Sequence, residues 1–410
     1  MKTRYLQHAI QNDALKSFKI AFISGPRQVG KTTLAKEILD EKSLLSNYFN
    51  FDDDEFRKIW IKNPKLLLSN SYSSNENNNS NKIVDTIVFD EIHKERTWKN
   101  KLKGLYDLYG AKTNFIVTGS ARLDYFRKSG DSLQGRYFPY RLHPFTLVES
   151  SIYKSPPADD WQEYASNRSS ITSIDDLLEL GGFPEPLWGG SALKAKRWQR
   201  LYRERMIRDD LRDLQNIREL RTLENLILLL RDRAAGQLSY ESLRQDLSCS
   251  ADSVHRWIDL LEALYFCYTI RPYTNKIKNS LKKEPKIYLF DWAQAEGAGA
   301  RWENMIAGHL LKNVHAWTDL GDGEFELHYV RDKQKREVDF LVTKDRKPYL
   351  LLEVKSNNSH PTNSLIYFQN LLKPTFCIQL VKEKKHEISS PLSHPNISIM
   401  SAERFLSSLN

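Results

Sequence analysis

Eight consecutive residues, Gly25-Pro26-Arg27-Gln28-Val29-Gly30-Lys31-Thr32, have the types and spacing that polyphosphate chemistry demands. Glycines let a backbone approach closely, successive N–H groups can converge on phosphate oxygens, and a following helix offers its positive end. Lys31 then stands where an ammonium would bridge the β- and γ-phosphates, and Thr32 where a hydroxyl would meet Mg²⁺. An apolar run from Ile20 to Ser24 precedes the loop and a helical run from Thr33 to Leu39 follows it, the setting such a loop requires. The expected ATP-binding set is Gly25, Pro26, Arg27, Gln28, Val29, Gly30, Lys31, Thr32 and Thr33.

Downstream, Thr86-Ile87-Val88-Phe89-Asp90-Glu91 reads as an apolar strand ending in two carboxylates. Two acids at the end of one buried strand are costly without a cation and a water to receive them. Asp90 is the expected Mg²⁺ partner with Thr32, and Glu91 the expected base that polarises a water. A third strand, Asn114 to Thr118, runs into Gly119-Ser120, where Thr118 or Ser120 would sense the γ-phosphate. Arg136, in Gln134-Gly135-Arg136-Tyr137, is the preferred arginine finger, acting in its own site or a neighbour's; a surface arginine paired with an acid is an equal alternative.

Near the other end, Arg336-Glu337-Val338-Asp339-Phe340-Leu341-Val342 and Tyr349-Leu350-Leu351-Leu352-Glu353-Val354-Lys355 read as two strands joined by a polar turn. Alternation sets Glu353 and Lys355 on one strand face. With Asp339 beside them and Glu303 from a helix, Arg301 to Asn313, they would form a Mg²⁺-dependent phosphodiesterase centre, with Asp339 and Glu353 on the metal and Lys355 orienting water. An ion-paired sheet edge is the alternative.

The elements that must position these residues fall into an α/β order. Residues 1–150 read as a P-loop ATPase domain, 151–235 as a linker with an arginine-rich helical segment, 236–292 as a winged helix-turn-helix, and 293–410 as a restriction-endonuclease-like α/β domain. The winged-helix reading rests on a helix from Tyr240 to Leu247, the turn Ser248-Cys249-Ser250, a helix from Ala251 to Tyr265, and two strands. Asp252, Ser253, His255 and Arg256 would face a major groove, and Lys276, Lys278, Lys282 and Lys283 would meet phosphates. Such modules also dock proteins, and the two readings weigh evenly. The tract from Ser69 to Lys82 has almost nothing to bury and reads as a surface loop.

The chain has 410 residues, net charge +9 and a pI near 9.1, a balance that favours polyanionic partners such as DNA. Its three cysteines, Cys249, Cys267 and Cys377, are too scattered for a disulfide framework or zinc cluster. With no apolar run approaching the roughly 20 residues of a membrane span, and no secretion signal, the expectation is a soluble, cytoplasmic protein with no membrane partner.

Gly25 to Thr32, Phe89-Asp90-Glu91-Ile92-His93-Lys94, Thr118-Gly119-Ser120 and Gln134-Gly135-Arg136 together resemble a family of prokaryotic AAA+-like ATPases. In that family a C-terminal region of unknown function follows the ATPase domain; Gly181-Gly182-Phe183-Pro184, Tyr288-Leu289-Phe290-Asp291, Glu303-Asn304 and Asp339 through Lys355 look like it. The resemblance implies an ATP-binding core, a winged-helix insert and a nuclease-like PD-(D/E)xK terminal domain. His93 departs from it, the family often carrying glutamine there, and no second sensor arginine can be assigned. The expectation is an ATP-hydrolysing, DNA-associated protein with Mg²⁺-dependent cleavage as an output in a defence or mobile-element setting. Its alternative is a non-nucleolytic nucleotide switch or scaffold for a protein partner or for further copies of itself.

Overall fold

The structure, a computed structural model, describes residues 4–42, 44–68, 85–119, 133–152, 173–211, 217–274, 284–357, 360–383, 385, 387–388 and 394–409. It divides into two compact units, Lys2–His143 and Pro144–Asn410.

In the first unit a short helix, α1 (Tyr5–Ala9), leads to β1 (Ile20–Ser24), whose five residues are all buried. Then come α2 (Lys31–Asp40), β2 (Tyr48–Asn50), α3 (Asp54–Lys62), β3 (Asp85–Asp90), α4 (Trp98–Tyr109), β4 (Thr113–Thr118) and β5 (Tyr137–Arg141). The sheet runs β2-β3-β4-β1-β5 with every pair parallel. Continuous apolar strands such as IAFIS suit a sheet covered on both faces. One core cluster packs Phe22, Phe56, Trp60, Phe89 and Phe115 together with Trp98 of α4. Parallel pairing brings all the strand C-termini to one edge: Asn50 is opposite Asp90, Asp90 opposite Thr118, Ile23 opposite Thr118, and Ser24 opposite Arg141. Connections at that edge are where such sheets bind ligands.

The second unit opens with helices: α5 (Leu147–Ile152), α6 (Ile174–Leu180), α7 (Pro184–Gly189), α8 (Ala192–Arg205), α9 (Ile217–Asp232), α10 (Tyr240–Leu247) and α11 (Ala251–Ala263). A π turn, Met206–Leu211, extends α8. Then follow β6 (Cys267–Pro272), β7 (Lys286–Leu289), α12 (Ala298–Asp319), β8 (Phe325–Arg331), β9 (Glu337–Lys344), β10 (Lys347–Lys355), α13 (Asn363–Leu372), β11 (Phe376–Val381), β12 (Ser398–Ser401) and α14 (Ala402–Ser408). One mixed sheet, β12-β11-β10-β9-β8-β6-β7, spans it. The hairpin β6–β7, expected to end a separate winged-helix domain, joins that sheet through the parallel pairing of Arg271 with His328. Serines 239 and 250 cap α10 and α11 by accepting from backbone N–H groups, which fixes the turn between them.

Candidate active site

Gly25 leaves β1 with φ +147°, and a Cβ there would lie 2.2 Å from the Leu142 carbonyl oxygen, so only glycine fits. Gln28 (φ +60°) and Gly30 (φ +101°) complete the left-handed turns that aim the loop at the start of α2. Val29 is fully buried, and its carbonyl accepts from Arg4 Nη1 at 3.2 Å, while Arg4 Nη2 donates to the His143 carbonyl at 2.5 Å. Arg4, which sequence reasoning passed over, thus pins the loop from outside it. Lys31 is buried and donates to the carbonyls of Gly25 (3.0 Å) and Pro26 (2.6 Å). Phosphate oxygens are stronger acceptors for an ammonium than these neutral carbonyls.

Asp90, 3% exposed, gathers three hydroxyls. Thr32 Oγ1 donates to its Oδ2 at 2.8 Å, Tyr48 Oη to the same oxygen at 2.7 Å, and Thr118 Oγ1 to Oδ1. The expected pair Thr32 and Asp90 therefore meets. Thr118, expected with Ser120 as one of two candidate sensors, donates to Asp90. Tyr48 was not foreseen; burial and the Asp90 carboxylate hold its hydroxyl far above the ordinary tyrosine range. A threonine hydroxyl against a carboxylate is an oxygen donor set of the kind Mg²⁺ takes beside phosphate, so the residues fit that ion.

Glu91 turns the chain into the left-handed region (φ +60°), with its N–H on the Thr118 carbonyl at 3.0 Å. Its carboxylate lies 3.6 Å from both His93 Nε2 and Lys94 Nζ. Burial pushes its pKa above the usual carboxylate range, with Lys31 opposing and Asp90 adding. Such a carboxyl is a better proton acceptor than a solvated one.

Other expected residues are placed differently. Arg27 and Thr33 are exposed, and Ser120 lies outside the described residues, as does Arg122. Arg136 requires a correction: its carbonyl accepts from the N–H of Ile20, the first residue of β1, so it sits at the opposite sheet edge, about 13 Å along the strand from the loop. Its guanidinium holds Asp107 by two contacts, 2.7 and 3.4 Å. It is the surface ion pair, not a finger for this unit's own site. The β5 arginine level with the loop is Arg141, opposite Ser24; counting along a strand parallel to β1 would have found it.

Glu303, Asp339, Glu353 and Lys355 do gather in the second unit, but around an ammonium. Lys286 Nζ, at the start of β7, lies 3.1 Å from Glu303, 2.8 Å from Glu337 and 3.7 Å from Asp339. Tyr288 Oη donates to Glu303 at 2.8 Å, Arg331 to Glu337 at 2.7 Å, the Val354 N–H to Asp339 at 2.8 Å, and Lys355 meets Glu353 at 2.7 Å. Burial would lower the Lys286 pKa, yet Glu303, Asp339 and Glu337 together hold it above the ordinary lysine value. Burial, then Asp339, push the Glu353 carboxyl up to about 7 despite Lys355. Among the described residues no three His, Cys, Asp or Glu side chains are grouped to hold a metal ion. Lys286 holds Glu303 and Glu337 and comes within 3.7 Å of Asp339, and Lys355 holds Glu353, so the residues expected around a divalent cation lie here in an internal ion network.

On α11, Asp252, His255 and Arg256 are exposed as expected, and His255 stacks on Tyr240 at 3.9 Å. The lysines from 276 to 283 lie outside the described residues. The three cysteines are free, two of them buried. Among the described residues no helix is long and apolar enough to cross a membrane.

These features define the first unit as an AAA-like P-loop ATPase domain, and residues 17–151 match the family described as AAA domain. Residues 171–296 match the domain of unknown function DUF8612, and residues 298–394 match DUF4143. An uncharacterized protein of Haemophilus influenzae is 23% identical over 402 residues, covering 91% of each chain. An uncharacterized protein of Methanocaldococcus jannaschii is 28% identical over 338 residues, 75% of this chain and 68% of its own. Among solved structures, a Walker-type ATPase of Pyrococcus abyssi aligns with 73% of this chain and 96% of its own at 16% identity and TM-score 0.46.

Proposed function

We propose that the protein hydrolyses ATP with Mg²⁺ and works in association with nucleic acid, its second unit serving as a binding body and not as a nuclease. The observation that carries the ATPase reading is the meeting of Thr32 and Asp90 beside the glycine loop, with Glu91 next in the chain. Lys31 exchanges its loop carbonyls for β- and γ-phosphate oxygens. Thr32 and Asp90 would hold Mg²⁺, which when bound neutralises charge on those oxygens. Glu91 accepts a proton from water as the water oxygen attacks the γ-phosphorus and ADP leaves. Thr118 and Tyr48 keep the Asp90 carboxylate oriented throughout.

The non-nucleolytic reading is favoured by Lys286 on Glu303, Glu337 and Asp339. Nucleic-acid association is supported by the chain's +9 charge and by where that charge lies. Titration with a fluorescent ATP analogue tests the nucleotide site: Lys31→Ala should weaken binding at least tenfold. Undiminished affinity in that variant would move the nucleotide elsewhere.

A further inference from the structure

Residues 192–208 carry seven Lys and Arg against one Glu. That surplus of six is two thirds of the chain's net +9, and it ends at Asp209-Asp210. The helix that bears it is divided lengthwise. Ala195, Trp198, Gln199, Tyr202 and Met206 are buried; Trp198 stacks on Tyr202 at 5.0 Å, lies 5.1 Å from the Phe183 ring, and donates through Nε1 to Glu185 at 3.1 Å. Arg203 also turns inward, donating to Gln294 at 2.5 Å. Lys194, Lys196, Arg197, Arg200, Arg205 and Arg208 are all exposed. At about 100° per residue these six occupy one half of the helix and the buried side chains the other. Arg200 lies 3.7 Å from Glu204, both side chains well exposed, a contact that does little to neutralise the face.

We infer that this outward face of α8 tracks the phosphodiester backbone of a nucleic acid. The inference rests on the nucleic-acid association proposed above and moves its centre from α11 to α8. The exposed side of α11 sets Asp252 and Asp259 beside His255 and Arg256, so it is close to charge-balanced, whereas α8 is cationic along about 20 Å, the length of roughly six phosphates of one strand. A lipid surface fits worse. A helix that binds membranes offers its apolar face to the acyl chains, and the apolar side of α8 is already used against Phe183. An acidic protein also fits worse, because protein interfaces centre on desolvated aromatic or aliphatic anchors; the exposed half of α8 has no aromatic, and of its large apolar side chains Leu193 is exposed while Leu201 and Ile207 are half-buried. Arginine predominates on it, and the planar guanidinium matches phosphate oxygens.

The test uses the full-length protein, a fluorescein-labelled duplex of random sequence, and fluorescence anisotropy between about 50 and 200 mM salt. The triple variant Lys196→Gln, Arg197→Gln, Arg200→Gln should lose roughly a hundredfold in affinity near 0.1 M salt, and its slope of log K against log salt should fall by about two to three. ATP turnover in the same sample should stay at the wild-type level, which verifies the fold. His255→Gln with Arg256→Gln should change affinity less than tenfold. If the triple variant keeps both affinity and slope while wild type binds, the α8 assignment is overturned and nucleic-acid association stands. If wild type shows no duplex binding at low salt, the association itself falls and this inference with it. Tighter wild-type binding to phosphatidylglycerol vesicles than to duplex, lost in the triple variant, would make a membrane the occupant and overturn nucleic acid.

Discussion

Three hydroxyls converge on Asp90, and they were unequally visible in the chain. Thr32 follows a lysine in a motif whose spacing encodes its role, and Thr118 ends an apolar strand. Tyr48 belongs to a three-residue strand too short for any periodicity, so nothing local marked it. For Arg136 the sequence left a finger and a surface ion pair equally open, because lying a few residues from a motif does not tell which end of a strand a side chain occupies; its guanidinium is on Asp107. Asp291 shows how burial sets chemistry at a single position. It is 3% exposed, and desolvation pushes its carboxyl up to about 6 although Gln294, the Ala293 N–H, Arg203 and Arg231 all favour the charged form. The folded carboxyl therefore holds its proton more tightly than the unfolded one, near 3.9. Its contribution to stability is present below about pH 4 and lost as pH rises through about 6. Thermal melts of wild type and Asp291→Asn should diverge over that window, with wild type losing ground by about 2–3 kcal/mol. Parallel melting curves from pH 4 to 8 would refute this.

Strands and helices with strong patterns were legible at nearly their observed bounds, including β1, β4 and α10. The elements that went unread were those with weak patterns. β8 buries its residues irregularly, and β5 carries Pro139, tolerated because β5 is an edge strand with β1 as its one neighbour. The β6–β7 hairpin was legible as a hairpin, but its membership in a seven-stranded sheet rests on the non-local pairing with β8 and left no local mark. Lys286 follows from that pairing. Its strand brings an ammonium to acids on α12 and β9, which tie the hairpin to the rest of the sheet. Lys286→Met would leave Glu303 and Asp339 without their ammonium and Glu337 with Arg331 alone. Breaking a buried pair in this way costs about 3–5 kcal/mol, so the second unit's thermal midpoint should drop by many degrees. An unchanged midpoint, or Mn²⁺ binding by the wild-type cluster in calorimetry, would contradict the ion-network description.

Across the molecule, two units divide the work that the chain's composition only hinted at. The first carries the glycine loop and the Asp90–Glu91 pair on a parallel sheet whose strand order, β2-β3-β4-β1-β5, sets Thr118 between them. The second carries the concentrated positive charge and an acid cluster paired with Lys286, Arg331 and Lys355. Net charge was readable from the sequence; its placement on one face of α8 needed the packing of Trp198 and Tyr202 to show which half looks outward. The nuclease expectation came from acids spaced as in many metal sites, and the cation that answers them lies some distance away in the chain. The most direct measurement is ATP turnover by the Glu91→Gln variant set beside its affinity for ATP. The nucleotide site described here predicts wild-type affinity with turnover slowed at least a hundredfold; turnover at the wild-type rate would contradict it.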